Sequence, residues 1–395
     1  MGDNNSGKKQ PILYVDTQEL LDETVSKLSS SSQISIDLEF DKNCYRYGFN
    51  LCLVQIFDGE TCYLIDPLSP DLNIETLFPV IENGAIQKVC FAFDEDLRLF
   101  HSLGCFPKNL YDLAIASRLL NFPSISLTNL LTDELGIDTG SSSQQSNWFR
   151  RPLDSNQLHY AANDVIHLFK LHSYIAEKAS HNGVQKWISE ENEALNKLDY
   201  SDLDHNDYIK DKDRAEFTEK QWFIFKKLLD WQNEKGKELN RPTYQIVPKS
   251  FLIEVAKDSR KLMDWNTTRG IFRIIQTESV KNDLLELIKD ATHEAEQLNL
   301  SDSKSANGKL SPEDHRAFMA QKNEINKVKN STFKPIKDHI EQKYGSEVAS
   351  FLLSNRIITE MVTGNIDHLP NYRKELFLTC AENLSIEEDQ IRKYL

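Results

Sequence analysis

The stretch SSQISIDLEFDKN, residues 31–43, decides how this chain is read. Ile34, Ile36, Leu38 and Phe40 alternate with Asp37, Glu39 and Asp41, so apolar and acidic side chains leave opposite faces of a half-buried strand. Acids two residues apart on one face stand about 7 Å from each other and repel unless water or a cation lies between them. Two readings stay open on this stretch alone: a solvated strand face and a metal site.

Composition narrows the setting. A chain of 395 residues is long for one core and predicts about two or three domains. With 39% hydrophobic and 27% charged residues it reads as folded and globular, not disordered. No apolar run approaches the roughly 18 residues that span a bilayer, and the polar start MGDNNSGKKQP lacks the apolar core of a signal peptide. Gly2 and Ser6 fit a myristoylation pattern, but residues 1–10 are read as a disordered polar tail of a cytoplasmic protein. Cys44, Cys52, Cys62, Cys90, Cys105 and Cys380 form no C-x-x-C pair and are expected as free thiols, mostly buried.

The net charge of -15 argues against a protein that merely coats nucleic acid. Its distribution is uneven: residues 1–175 carry 12 Lys and Arg against 23 Asp and Glu, residues 219–273 carry 12 against 7. One region is suited to cations, another to polyanions.

Along the chain, QISIDLEF, LCLVQIFD and TCYLIDP read as successive strands of an antiparallel meander, with a hairpin signal at Asp58-Gly59. Helical patterns follow in IETLFPVIENG, DEDLRLFHSLG, YDLAIASRLLN and LTNLLTDELG, with the apolar run KVCFAF among them, giving a mixed α/β domain over 11–195. Residues 196–216 are acidic and weakly periodic, a linker. Thr218 and Gln221 then form a capping box before the stripe Trp222, Phe225, Leu228, Leu229 and Gln232, opening a helical domain over 217–295. A second linker, 296–310, precedes another helical domain over 311–395, with an N-cap expected at Ser311 before Pro312 and a last helix capped by Ser385 and Glu388.

Two further acidic patterns bear on the opening question. In FAFDEDLRLF, Asp94 falls where a helix cap is expected and Asp96 in the first turn, where the helix dipole favours a carboxylate. In LHYAANDVIHLFKLH, Tyr160 and Asp164 lie four residues apart and project side by side, while Ala161 and Ala162 keep the helix slim enough to approach a sheet closely.

D-x-E on a strand, an acid at a later helix start and Y-x-x-x-D on a third segment together resemble the DEDDy branch of 3′-to-5′ exonucleases, and within it the bacterial ribonuclease D family. The runs IDLEF, CLVQIFDGE, LIDPL, EDLRLF, WFRRPL and YAANDV occur in that family's order. The resemblance implies an α/β ribonuclease H-like exonuclease domain followed by two small all-α HRDC-like domains, the second one divergent. It implies that Asp37, Glu39, Asp96 and Asp164 hold two divalent metal ions, Mg²⁺ or Mn²⁺, with Asp37 shared between them, and that Tyr160 orients the attacking water. A phenol, with a pKa near 10, is a poor base at neutral pH. Asp41 and Asp94 match no catalytic position and are given solvent and capping roles. Phe91 and Asn147 depart from the family pattern, which commonly has histidine and aspartate there.

The activity so implied is release of nucleoside 5′-monophosphates from RNA 3′ ends, with tRNA precursors as substrates and the enzyme a monomer. A single-stranded DNA exonuclease and a catalytically inactive nucleic-acid-binding scaffold are the alternatives. Lys226, Lys227, Lys235, Lys237, Arg241, Lys249, Arg260 and Lys261 are candidate phosphate contacts on the helical arm. Tyr45, Tyr47 and Trp148 are candidate stacking residues, with Leu38 and Arg151 as further nucleic-acid contacts.

Overall fold

The computed structural model describes residues 10–140, 143–201, 214, 216–303, 312–366 and 368–395. The tail 1–9, most of the 196–216 linker (202–213 and 215), residues 304–310 of the second linker and the cap expected at Ser311 lie outside the described residues. Two compact units are present: the described residues of Met1–Phe40, Leu51–Asp202 and Ala320–Leu395 form one, those of Asp41–Asn50 and Leu203–Met319 the other.

The first unit is built on six strands, β1 (Ile12–Val15), β2 (Gln33–Lys42), β3 (Phe49–Phe57), β4 (Cys62–Ile65), β5 (Gln87–Cys90) and β6 (Leu110–Asp112), in the spatial order β1-β4-β3-β2-β5-β6. The expected hairpin is there: β3 and β4 are antiparallel with Phe57 opposite Cys62, and the Asp58 side chain accepts the backbone amides of Glu60 and Thr61. Neighbouring β2 and β3 are joined by residues 43–48, too short for a parallel crossover, so they too run antiparallel. Parallel pairing of β1 with β4, β2 with β5 and β5 with β6 makes the sheet mixed. Both edge strands, at four and three residues, are too short to show a period.

One expectation for β2 is corrected. On the face that carries the acids, Ser35 is 0%, Glu39 7% and Asp41 5% exposed and Asp37 is half-buried, because β2 is central in the sheet. Asp41, read as a solvent-facing acid, instead accepts the amides of Cys44, Tyr45 and Arg46 and so shapes the turn after the strand.

Helices α1 (Gln18–Leu28), α2 (Phe78–Ile81), α3 (Asp94–Ser102), α4 (Leu113–Leu119), α5 (Leu127–Leu135), α6 (Ser155–Ile166), α7 (Leu168–Asn182) and α8 (Gln185–Leu195) accompany the sheet. The segment expected to be helical from Tyr111 starts at Leu113 instead, since Tyr111 and Asp112 pair with β5. The second unit contains α9 (Glu219–Glu238), α10 (Lys249–Lys257) and α11 (Glu278–Gln297). Thr218 makes the expected capping box with Gln221, and the stripe Trp222, Phe225, Leu228, Leu229 and Gln232 is buried. Gln232 donates to the carbonyls of Thr243 and Val247, which satisfies the one polar member of that stripe.

The chain continues through α12 (Pro312–Val328), α13 (Lys334–Tyr344), α14 (Ser346–Leu352), α15 (Asn355–Thr363), α16 (Asn371–Asn383) and α17 (Glu388–Arg392). The last cap is corrected as well. Ser385 has φ +54°, a turn conformation just past α16, and the Glu387 that precedes α17 makes no side-chain cap. Residues Phe333, Ile336, Ile340, Val348 and Phe377 share one hydrophobic core with Leu119, Leu168, Leu171 and Ile188 around the sheet. Gly345 is required in this packing, because its φ is +100° and a Cβ would stand 2.1 Å from the Asn121 side chain. Five cysteines are buried as free thiols, whereas Cys44 is exposed. Among the described residues no helix is long and apolar enough to cross a membrane.

A buried ion pair ties α16 to α8. Arg373 donates Nε and Nη2 to Glu191 at 2.6 and 2.8 Å, Tyr372 donates to the same carboxylate, and the two charged residues are only 5% and 7% exposed. Removing one partner leaves the other charge buried and alone, which costs about 3–5 kcal/mol. Arg373→Met is therefore expected to lower the thermal midpoint strongly. A double variant Glu191→Met/Arg373→Met recovers much of the loss in the same melting experiment.

Candidate active site

Three segments distant in sequence bring the acids together. Ser35, Asp37 and Glu39 leave one face of β2, and α6 lies across that face, fixed by the Ser35 hydroxyl donating to the Val165 carbonyl at 2.8 Å. Asp154 and Gln157 close a capping box at the start of α6, and Gln157, Ala161, Ala162 and Val165 are its buried residues. Asp164 thereby faces the strand, and Asp37, Glu39 and Asp164 each offer an oxygen within 4.8 Å of the others. Tyr160, one turn earlier, hydrogen-bonds Asp164.

Asp96 arrives from α3. The turn before this helix holds Ala92 at φ +56°, unusual for a residue with a side chain, and Asp112 accepts the amides of Ala92 and Phe93 at 2.8 and 3.0 Å. This turn aims the first turn of α3 inward. Asp96 is 6% exposed, and its Oδ1 has no hydrogen-bond partner among the described residues. Asp94 does not cap the helix as expected: it is the first helical residue, exposed, bonded to Arg98 and to the Tyr200 hydroxyl.

The electrostatics follow from burial. Desolvation, then the charges of Asp164, Asp96 and Glu39, hold the Asp37 carboxyl well above the usual carboxylate range. Glu39 is raised by burial and by Asp164 and Asp96. Burial pushes Asp96 to about 8 and Asp164 to about 7, the latter moderated by the Tyr160 hydrogen bond. The Tyr160 phenol is itself pushed up, by burial first and then by Asp164, Glu39 and Asp37. It stays neutral at pH 7.

An all-carboxylate cluster with one buried oxygen lacking a partner fits hard divalent cations, which take oxygen ligands. A cation relieves the repulsion that the pKa directions record.

Of the residues expected to contact nucleic acid, Leu38 is 4% and Trp148 3% exposed, the latter ring lying 6.2 Å from that of Tyr160, and Tyr45 is 47% exposed. Arg151 has its donors engaged inside the protein: Nε and Nη2 bind Asp66 at 2.5 and 2.6 Å, Nη2 also the Cys52 carbonyl, and Nη1 the Trp148 carbonyl. Asn147 accepts the Phe149 amide, and Phe91 packs half-buried on the core. In the second unit, Tyr47 donates to Asn233, Lys227 pairs with Glu294 at 3.0 Å and Lys235 with Glu238 at 2.6 Å, while Arg241 lies over the Phe272 ring. Sequence reasoning missed Ser35 and Asp112, which position the acids without joining them. Ser35 reads within QISIDLEF as one more polar residue of the alternation, because its partner Val165 lies 130 residues away.

Comparison with known proteins adds to this geometry. Residues 12–180 match the family of 3′-5′ exonuclease domains. The chain is 31% identical over 289 residues to a ribonuclease D of Shewanella sp. (strain ANA-3), covering 68% of this chain and 73% of that one. It is 27% identical over 307 residues to the ribonuclease D of Bartonella henselae, covering 75% and 73%. In fold it is similar to the crystal structure of Escherichia coli RNase D, with TM-score 0.66, 22% identity, and 98% and 100% of the two chains covered. A Bifidobacterium adolescentis protein gives TM-score 0.67 at 20% identity, covering 98% of each chain. The mixed sheet and its helices are the ribonuclease H-like exonuclease fold.

The raised carboxyls have a consequence for stability. Between about pH 4, where unfolded carboxyls titrate, and the folded values of about 7 and 8, the folded state binds more protons than the unfolded one. Stability is thus full below that window and lost as pH rises through it. With chelator present, the melting temperature is expected to fall from pH 5 to pH 8, and to fall less in Asp164→Asn. Equal slopes in both proteins contradict the clustering.

Proposed function

We propose, given that this chain belongs to the ribonuclease D family of 3′-to-5′ exoribonucleases, that its reaction is run at the cluster of Asp37, Glu39, Asp96 and Asp164 with Tyr160. The observation that carries this reading is the meeting of three carboxylates within 4.8 Å, with a fourth buried acid whose charge bears on two of them. Asp37, Glu39 and Asp164 would hold one divalent cation, and Asp37 with Asp96 a second, Mg²⁺ or Mn²⁺. Bound, the pair supplies Lewis acidity and charge neutralisation on both sides of an in-line displacement at phosphorus. The water oxygen joins phosphorus, the bond to the 3′ oxygen of the penultimate nucleotide breaks, and a nucleoside 5′-monophosphate leaves. Tyr160 orients the water by hydrogen bonding, since its neutral phenol does not serve as a base at pH 7.

The helices over 217–295 are read as an HRDC domain and 311–395 as a second, divergent copy, with 196–216 and 296–310 as linkers. Support for the first comes from the closed apolar core of α9, α10 and α11, and from the basic balance of residues 219–273. Lys226, Lys237 and Arg241 bind phosphates in this reading, and the ion-paired Lys227 and Lys235 exchange weak surface partners for phosphate. The substrates are 3′ ends of structured RNA, tRNA precursors among them; the E. coli relative is described as an exoribonuclease involved in structured RNA processing. The enzyme acts as a monomer in the cytoplasm.

Asp37→Asn is expected to abolish digestion of 3′-labelled RNA while leaving RNA binding intact, checked by gel assay beside single-stranded DNA of the same sequence. Undiminished cleavage removes the site assignment, and faster digestion of DNA removes the RNA preference. Replacing Lys226, Lys237 and Arg241 by glutamine lowers the slope of log affinity against log salt by about one for each phosphate no longer neutralised. An unchanged slope removes the basic arm from the substrate path.

A further inference from the structure

Gln55 sits in the middle of β3, inside CLVQIFDGE, one of the runs that carry the family resemblance. Its side chain is 0% exposed, and neither Nε2 nor Oε1 has a hydrogen-bond partner among the described residues. A primary amide offers two donors and an acceptor with two lone pairs, and burying all of them unpaired is strongly unfavourable. Leucine or methionine would fill the same space without that penalty. A buried polar group in this condition calls for an explanation.

The strand ladder tells where the amide lies. Gln55 is paired with Leu64 of β4, so the two share a face, and Leu64 packs with Ala161, Ala162 and Val165 of α6. On β2, Ser35 lies on the same face through its bond to the Val165 carbonyl, and its hydroxyl stands 3.5 Å from the carbonyl of Phe57 on β3. Since the two strands run antiparallel, two residues onward from Ser35 is Asp37, and two residues back from Phe57, in the same direction, is Gln55. Gln55 therefore lies on the α6 side of the strand next to β2, one step from the Ser35–Phe57 contact in the direction of Asp37.

We infer that Gln55 is a positioning residue for the divalent-cation site, its Nε2–H donating directly or through one ordered water to the Asp37 carboxylate when that carboxylate is a ligand. The inference rests on Asp37 being a cation ligand, as proposed above. Ligating carboxylates are commonly oriented by hydrogen-bond donors behind them, and a donor to an ionised carboxylate makes about twice the bond that it makes to a neutral group. An amide with no partner among the described residues, on the strand next to the acid whose charge the other three oppose, meets that need without adding charge. Its penalty falls on the cation-free protein, and its benefit appears with the cation.

That opposition is what the test reads. Full-length wild type, Gln55→Met, Gln55→Leu and Asp37→Asn are melted in chelator and again with Mn²⁺, and Mn²⁺ affinity is measured by calorimetric titration. Both Gln55 variants are expected to melt at or above wild type without cation. They should bind Mn²⁺ roughly tenfold to a hundredfold more weakly and show a smaller cation-induced rise in melting temperature. A group that merely fills space would not move cation affinity while raising cation-free stability. Wild-type Mn²⁺ affinity in the Gln55 variants, with affinity lost in Asp37→Asn, overturns the inference and leaves the site assignment standing. So does a large drop in cation-free melting temperature in both Gln55 variants, which would make the amide a structural group. Wild-type affinity in Asp37→Asn overturns the ligand assignment itself and the role of Gln55 with it.

Discussion

The structure turns on a repulsion. Three carboxylates lie within 4.8 Å with a fourth beside them, Glu39 and Asp96 buried, Asp37 and Asp164 half-buried. Two unit charges at that distance repel by about 3–4 kcal/mol at an effective dielectric of 20, whereas a single neutral hydrogen bond contributes about 1 kcal/mol. The bonds that bring the acids together are of the second kind: Ser35 to Val165, the Asp154–Gln157 box, and Asp112 to the amides before α3. These can aim the side chains but cannot keep them all ionised. Protons or cations must complete the site, and the chemistry of the family needs cations.

The same economy of charge runs through the rest of the chain. Arg373 is paired with Glu191 and Arg151 with Asp66. Lys88, fully buried on β5, donates to the carbonyls of Asn83, Ile86 and Lys108 and has its pKa pushed down to about 8 by desolvation. Each of these groups has its hydrogen bonds met by protein. At the acidic cluster the Asp96 Oδ1 and the Gln55 amide lack partners among the described residues, as do single ring nitrogens of Trp148, His167 and Trp265 elsewhere, and the cluster adds to this several carboxyls at close range.

Local patterns carried much of this. Alternation in ISIDLEF placed Asp37 and Glu39 on one face, the four-residue step placed Tyr160 beside Asp164, and Thr218 with Gln221 announced α9. What failed was whatever depended on the environment of the face. Glu39 is buried because α6, over a hundred residues later, lies across that face, and Asp41 because it folds into the turn that follows β2; alternation alone reports neither. Ser385 and Glu388 have the letters of a capping box, but the serine backbone is left-handed and the box does not form. Arg151 reads in the sequence as a cation open to nucleic acid, whereas Asp66, 85 residues earlier, holds its guanidinium. Ser35, Asp112 and Gln55 were silent for the same reason: their partners or neighbours lie on other segments.

The central claim, that the four acids share protons which a cation displaces, is tested most directly by titrating Mn²⁺ into the full-length protein near pH 7 in two buffers of different ionisation enthalpy. Saturable binding with proton release, both lost in Asp164→Asn, is the result expected from carboxyls held at about 7 and 8. Binding without proton release, or no saturable binding at all, would contradict it.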